Sequence, residues 1–137
     1  MKVFLGTNVL VSAVATRGLC ADLFQAILAD HELVVGATVL QELRRVLARK
    51  FHLPRATIDE LEAFLGAQAH VVMEAPSIAV RIRDPKDRPI LAAAVAGAAD
   101  VLVTGDEDLQ QLGRTARLRV LSPREFWELL RLESAGK

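Results

Sequence analysis

The chain has 137 residues, of which 52% are hydrophobic, and its 17 basic and 17 acidic residues balance to a formal net charge of zero. This length and composition predict a single folded domain over residues 1–137 and exclude a disordered chain. The zero net charge and an aromatic content of 4% exclude a strongly basic nucleic-acid binder and a base-stacking platform, so any contact with nucleic acid must be local.

The sequence shows no sign of export or membrane insertion. Its apolar runs fall short of the ~18 residues needed to cross a bilayer, and its amino terminus lacks the layout of a secretory signal. Cys20 is the single cysteine, so the chain has no internal disulfide framework. We therefore expect a cytoplasmic protein that makes no contact with a membrane.

Apolar runs alternate with segments of helical period, which indicates an α/β fold with a mainly parallel sheet. Strands are predicted at about residues 2–5, 33–35, 71–73, 100–103 and 118–121. Helices are predicted at about residues 19–30, 38–51, 55–67, 88–98 and 122–132, with a short helix after Glu107.

The first thirteen residues, MKVFLGTNVLVSA, contain an unexpected glycine. A buried strand (3–5) is predicted to run into a turn at Gly6-Thr7-Asn8, which is followed by a second apolar run. In an α/β protein the ligand crevice opens at the carboxyl ends of the strands. Gly6 stands at such an end and has no side chain to contribute.

Two helix starts carry the signature of a capping box, in which a hydroxyl side chain and an acid or amide three residues later satisfy each other's backbone N–H groups. Thr38 with Gln41 predicts one of them. Ser122 with Glu125, and with Pro123 at the first helical position, predicts the other.

Three acids fall near the predicted crevice. Glu42 lies early in its helix at the edge of the apolar stripe, Asp87 stands just before an apolar helix, and Asp106 follows a strand. Carboxylates that lie close together without partners repel one another. Proteins usually relieve this repulsion by binding a divalent cation such as Mg²⁺ or Mn²⁺, which retains several waters. Such an ion activates water and stabilises charge that develops on a phosphate.

Each acid also has a structural interpretation, and for single positions that interpretation is at least as good. Glu42 can be a solvated acid of the first turn paired with Arg45. Asp87 can be an N-cap, and Asp106 can cap the short helix that follows it. Asp108 can likewise be an acid of that helix's first turn.

Taken in order, the segments LGTNVLVSA, DPKDRPILAAA and VTGDEDL resemble the PIN-domain family, in particular small prokaryotic toxins of the VapC type. The resemblance runs from Lys2 to about Leu130. It implies a three-layer α/β/α fold and a metal-dependent nuclease site of four acids that cuts RNA. It also implies a cognate antitoxin and a homodimer.

By motif, Glu42, Asp87 and Asp106 match three of the family's metal-binding and catalytic acids. Asn8 and Thr104 match flanking polar positions that orient the ligands or contact a phosphate, and Asp84 and Asp108 are nearby acids with a weaker match. The family's first segment begins Asp-Thr-Asn, so Gly6 replaces the fourth acid. We therefore expect weak binding of Mg²⁺ or Mn²⁺ and little or no nuclease activity.

Two functions remain open from the sequence. The first is a toxin-like PIN endoribonuclease attenuated by Gly6, with basic side chains near the cleft holding the RNA (Arg44, Arg45, Arg49, Lys50, Arg81, Arg83, Lys86 and Arg88). The alternative is a non-catalytic module that binds RNA or a partner protein, for which RNA binding would persist in EDTA.

A nucleotide-binding domain is disfavoured because neither GxGxxG nor GxxxxGK[ST] occurs. The scattered His31, His52 and His70 do not have the spacing of zinc ligands.

Overall fold

The computed structural model describes residues 1–73, 88–111, 113–115 and 118–135. Within these ranges the order is β1 (Lys2–Leu5), α1 (Thr7–Ala15), α2 (Leu19–Asp30), β2 (Glu32–Gly36), α3 (Ala37–Arg49), α4 (Arg55–Gln68) and β3 (Ala69–Val72). After the gap follow α5 (Arg88–Ala96), β4 (Val101–Val103), α6 (Glu107–Gln110), β5 (Arg114–Thr115), β6 (Leu118–Leu121) and α7 (Pro123–Ala135).

The strands form one sheet in the order β3-β2-β1-β4-β6-β5. Neighbours from β3 to β6 run parallel, and the two-residue β5 pairs antiparallel with β6 at one edge. In the centre, Val3 of β1 lies between Leu33 of β2 and Val101 of β4. The predicted three-layer α/β/α fold with a mainly parallel sheet is confirmed.

The central strands are short apolar runs because both faces of the sheet are covered. Val3 to Leu5, Leu33 to Val35 and Val101 to Val103 are all buried. The chain moves one way from β1 to β2 to β3, so right-handed crossovers put α1 to α4 on one face. It then returns past β1 to β4, which puts α5 on the other face.

Small residues let α5 and the residue after it pack closely on the sheet. A Cβ added at Gly97, just after α5, would lie 2.6 Å from Val34 Cγ1 and 2.9 Å from Val72 Cγ2. A Cβ added at Gly36 in β2 would lie 3.1 Å from the Cβ of Ala93 in α5. Larger side chains at these contacts would push the helix away from the sheet.

Three local predictions differ from the structure. The turn predicted at Gly6-Thr7-Asn8 is wrong, because α1 begins at Thr7. The Thr38–Gln41 capping box is also wrong: α3 begins at Ala37 after Gly36, and no side chain caps it. The third strand begins and ends earlier than predicted, at Ala69–Val72 rather than 71–73.

The capping box at the start of α7 is confirmed. The backbone N–H of Ser122 donates to Glu125 Oε1 at 2.9 Å, and the N–H of Glu125 donates to Ser122 Oγ at 3.1 Å.

In the described ranges, no single helix is long and apolar enough to cross a membrane. Helices α1 and α2 reach that length only together, across a bend of 94°.

Candidate functional site

The candidate site lies where the sheet topology changes direction. β1 is flanked by β2, towards which the chain first moves, and by β4, to which it later returns. In open α/β sheets the ligand crevice forms at such a switch point, beyond the carboxyl ends of the two strands. Gly6 follows β1 there and Thr104 follows β4. The two segments are joined by a hydrogen bond in which the Gly6 N–H donates to Val103 O at 2.9 Å.

Neither the backbone nor the space around it requires glycine at residue 6. Gly6 has φ −68° and ψ 165°, an extended conformation open to any residue. A Cβ built on it would lie 3.4 Å from both Thr104 Oγ1 and Val103 O, which is ordinary van der Waals contact. A side chain can therefore start from this position without displacing Thr104 or Val103.

Beside Gly6, Thr104 and Asp106 form a hydrogen-bonded turn. Thr104 is buried, and its Oγ1 accepts the N–H of Asp106 at 3.1 Å. Asp106 in turn is the N-cap of α6, because its Oδ1 accepts the N–H groups of Asp108 at 2.8 Å and Leu109 at 3.2 Å. The structural interpretation of Asp106 as a cap is thus confirmed.

The cap occupies only one of the two oxygens of the Asp106 carboxylate. The cap uses Oδ1, and in the part of the chain that the structure describes Oδ2 has no hydrogen bond or ion pair. One oxygen therefore fixes the orientation of the carboxylate while the other can meet a ligand. A further hydrogen bond stabilises the same turn: Gln110 Nε2 donates to Thr104 O at 2.6 Å.

Glu42 comes from a neighbouring element. It is the sixth residue of α3, which begins directly after β2 at the same edge of the sheet, so it lies about 8 Å along the helix axis from that start. Its side chain is partly buried. Among the described residues it makes no ion pair with Arg45 or any other cation, so the predicted pairing is not observed.

Arg44, two residues after Glu42 in the sequence, makes a structural contact. Its guanidinium donates to Asp59 and, at 2.8 Å, to Glu62, both on α4. The hydrogen bond to Asp59 raises the pKa of the Arg44 guanidinium above its ordinary value. Arg44 thus joins α3 to α4, and its guanidinium is engaged there rather than free for RNA.

The remaining predicted residues divide into two groups. Asn8 is exposed at the second position of α1, close to Gly6. Asp84 and Asp87 lie outside the described residues, as do the predicted RNA contacts Arg81, Arg83 and Lys86 and the side chain of Arg88. Within the described ranges no three acids, histidines or cysteines come together as a metal-binding group.

One polar group of this region was missed by the sequence analysis. Thr7, the first residue of α1, is 7% exposed, and its Oγ1 has no hydrogen-bond partner among the described residues. Nothing in the sequence distinguishes this threonine from a surface residue of a turn, because its burial depends on where the missed helix α1 packs.

Comparisons with known proteins agree with this fold. The sequence matches the PIN domain over residues 2–108. The structure is similar to that of VapBC2 from Rickettsia felis bound to a DNA fragment from its promoter, with a TM-score of 0.58 at 16% identity. It is also similar to FitAcB from Neisseria gonorrhoeae, with a TM-score of 0.54 at 18% identity. Each similarity covers 88% of this chain and 97% of the other.

No curated protein sequence matches the chain. On the family match, with the switch-point site built from β1 and β4, the chain belongs to the PIN domain family.

Proposed function

We propose that this protein is a metal-dependent endoribonuclease of PIN type, the toxin of a toxin–antitoxin pair, attenuated because Gly6 replaces a metal-binding aspartate. The observation that carries the proposal is the geometry at residue 6. The backbone there suits any residue, a Cβ would meet Thr104 and Val103 at ordinary contact distance, and the Thr104 hydroxyl accepts the N–H of Asp106. These features support the proposal that a carboxylate at residue 6 would face the same site as Asp106.

In this proposal Glu42, Asp87 and Asp106 hold Mg²⁺ or Mn²⁺, for which carboxylate oxygens are the preferred donors. The bound ion supplies an activated water and stabilises the charge that develops on the phosphate. The chain's own contribution is orientation: the Thr104 hydroxyl holds the Asp106 N–H, and the cap bonds hold Asp106 Oδ1. Without a carboxylate at residue 6, the site carries one negative charge less and binds the cation weakly.

Two further polar residues have supporting roles in the proposal. Asn8 is exposed beside Gly6 and can donate its side-chain amide to a phosphate oxygen of the RNA. Asp108 lies in the first turn of α6, where its backbone N–H binds Asp106 and its negative charge strengthens the local field for a cation.

The partners follow from the same family. A VapC-type toxin pairs with an antitoxin, and the similar structure from Rickettsia felis is a VapBC2 assembly on promoter DNA. We propose a cognate antitoxin and a homodimer for this chain, with RNA as the substrate. Size-exclusion chromatography of the isolated protein tests the homodimer directly.

The deciding experiment is RNA cleavage by the protein and by Gly6→Asp, each with Mn²⁺ and with EDTA. We expect Gly6→Asp to cut RNA in Mn²⁺ only, and the unaltered protein to cut at least about a hundredfold more slowly. Gly6→Ala is the matched control, because it fills the same space with a Cβ but supplies no oxygen. Glu42→Gln in the Gly6→Asp background is expected to abolish the gain.

Other outcomes contradict parts of the proposal. Efficient cleavage by the unaltered protein would mean that three acids suffice and that the account of Gly6 is wrong. Equal gains from Gly6→Asp and Gly6→Ala would mean that packing, not charge, limits activity. RNA binding in EDTA with no cleavage by any variant would favour the alternative, a non-catalytic module for RNA or a partner protein.

A further inference from the structure

One edge of the sheet is open in the part of the chain that the structure describes. There, β3 (Ala69–Val72) pairs with β2 alone, so the N–H and C=O groups on its outer side have no strand beside them. Proteins usually protect such an edge with lysine, proline or a very short strand. The opposite edge is protected in this way, because β5 has two residues, one of them Arg114. β3 has four residues, AHVV, with neither lysine nor proline, so it can accept another strand.

The surface around this edge is uncharged apart from the imidazole of His70. The segment 63–73, AFLGAQAHVVM, covers the end of α4 and all of β3 and contains no acid, lysine or arginine. Most of its residues are exposed, although charged residues make up 25% of the chain. The buried centres of protein interfaces are depleted of charge in the same way. This neutral segment (63–73) therefore has the composition of a surface that another protein covers.

Two exposed apolar side chains lie near the two ends of the neutral segment. Phe64 is 44% exposed and Met73 is 74% exposed. At about 100° per residue, Phe64 lies about 140–160° around α4 from Asp59 and Glu62. Those two acids bind Arg44 of α3, so Phe64 faces away from α3. Since α3 packs on β2 and α4 packs on β3, the side of α4 that carries Phe64 is the one next to the open edge.

The neutral segment is complementary to itself. Two identical antiparallel strands are related by a two-fold axis, and an interface on such an axis uses the same surface of both subunits. With Val71 on the axis, Met73 of one copy is opposite Ala69 of the second copy, at the end of that copy's α4. Each exposed methionine then packs beside the helix that carries the exposed phenylalanine. A strongly charged partner would find no opposite charge on this surface, whereas a second copy is equally neutral.

We propose that two copies of this chain associate through the neutral segment, with their β3 strands paired antiparallel about Val71. The two six-stranded sheets then form one continuous sheet, with the two α4 helices on the same face of it. The candidate site lies beyond β1 and β4, so it stays outside the interface in both copies. The inference rests on the proposed function only for the existence of a homodimer, to which it adds the surface and the register.

Cysteine cross-linking tests the register. In a Cys20→Ser background, Val71→Cys puts two thiols on the axis, where opposite Cα atoms are about 4.5–5.5 Å apart, a distance that a disulfide can bridge. Met73→Cys is the matched control, because it is more exposed but lies about 13 Å from its own copy across the pair. On mild oxidation we expect Val71→Cys to give a disulfide-linked dimer and Met73→Cys to give at least about tenfold less.

Lysine substitutions test the surface. Phe64→Lys and Met73→Lys each put two unpaired ammonium groups into the dimer interface, which should raise the dissociation constant of the dimer in sedimentation equilibrium at least about tenfold. Both side chains are exposed, so the fold of the subunit should survive. Leu132→Lys is the matched control: Leu132 in α7 is 71% exposed outside the neutral segment, and its substitution should leave the constant unchanged.

Three results would overturn the inference. Equal cross-linking of Val71→Cys and Met73→Cys would refute the register. A dimer that Phe64→Lys and Met73→Lys weaken no more than Leu132→Lys does would refute the surface and leave the proposed homodimer with another interface. A chain that stays monomeric throughout a concentration series would refute both the homodimer and the self-pairing, and would leave β3 to a different protein. RNA cleavage by Gly6→Asp tests the nuclease separately.

Discussion

Asp106 has two roles in our account, and two substitutions separate them. Its Oδ1 caps α6, and the whole carboxylate supplies negative charge for a cation. Asp106→Asn keeps an oxygen acceptor at the cap but removes the charge. Asp106→Ala removes both. If both roles are real, the two variants will differ in stability and agree in activity.

The stability effect follows from the cap bonds. Oδ1 accepts two N–H groups, at 2.8 Å from Asp108 and 3.2 Å from Leu109, in a helix of four residues that buries Leu109. Replacing such a cap by alanine costs about 1 kcal/mol of the free energy of unfolding, whereas asparagine caps as well as aspartate does. For a domain of this size, we expect Asp106→Ala to lower Tm by about 3–4 °C and Asp106→Asn to change it by less than about 1 °C.

The activity effect is measured in the Gly6→Asp background with Mn²⁺, where we propose that cleavage is restored. Both substitutions at Asp106 should reduce the cleavage rate at least about a hundredfold, because each removes a charged metal ligand. Full cleavage by Asp106→Asn would refute the metal role and leave Asp106 as a cap. A fall in Tm as large for Asn as for Ala would refute our reading of the cap.

Three further predictions concern stability and reactivity. Gly97→Ala should lower the free energy of unfolding by about 1–3 kcal/mol, since its Cβ would lie 2.6 Å from Val34 Cγ1. Gly66→Ala in α4 is the control, because no atom lies within 4 Å of its new Cβ, and it should raise the free energy of unfolding by about 0.5–1 kcal/mol. Both are measured by urea denaturation, and equal effects of Gly97→Ala and Gly66→Ala would contradict the close packing of α5. Ser122→Ala should cost about 1 kcal/mol by the same measurement, and no change would mean that the capping box contributes nothing. Burial raises the pKa of the Cys20 thiol, so iodoacetamide should alkylate it more slowly at pH 7.5 than a free cysteine, and a faster reaction would contradict this.

The central strands were predictable because burial on both faces makes them short apolar runs, whereas the two-residue edge strand β5 has no such run and was not predicted. The missed helix α1 shows the limit of that signal. Its sequence TNVLVSAVA buries Thr7, Val9, Leu10 and Val11, so its apolar residues are continuous rather than spaced on one stripe. Burial on more than one side removes the helical period, and the three valines do not favour a helix.

The candidate site was predictable where topology alone decides it. Gly6 and Asp106 follow parallel strands, and the carboxyl ends of parallel strands share one edge. The unpartnered Thr7 hydroxyl was not predictable, because it depends on how α1 packs. The Arg44 contacts were not predictable either: they reach Asp59 and Glu62, 15 and 18 residues away on another helix. The place of Asp87 at the site remains a prediction.

The pairing of β1 with β4 sets the time at which the site can first exist. Val3 meets Val101, a separation of 98 residues along the chain. At ribosomal rates of about 5–20 residues per second, β1 waits roughly 5–20 s for this partner, with the edge that β4 will cover still unpaired. Gly6 and Thr104 come together only after that pairing. The site therefore forms only when β4 has been synthesised and has paired with β1.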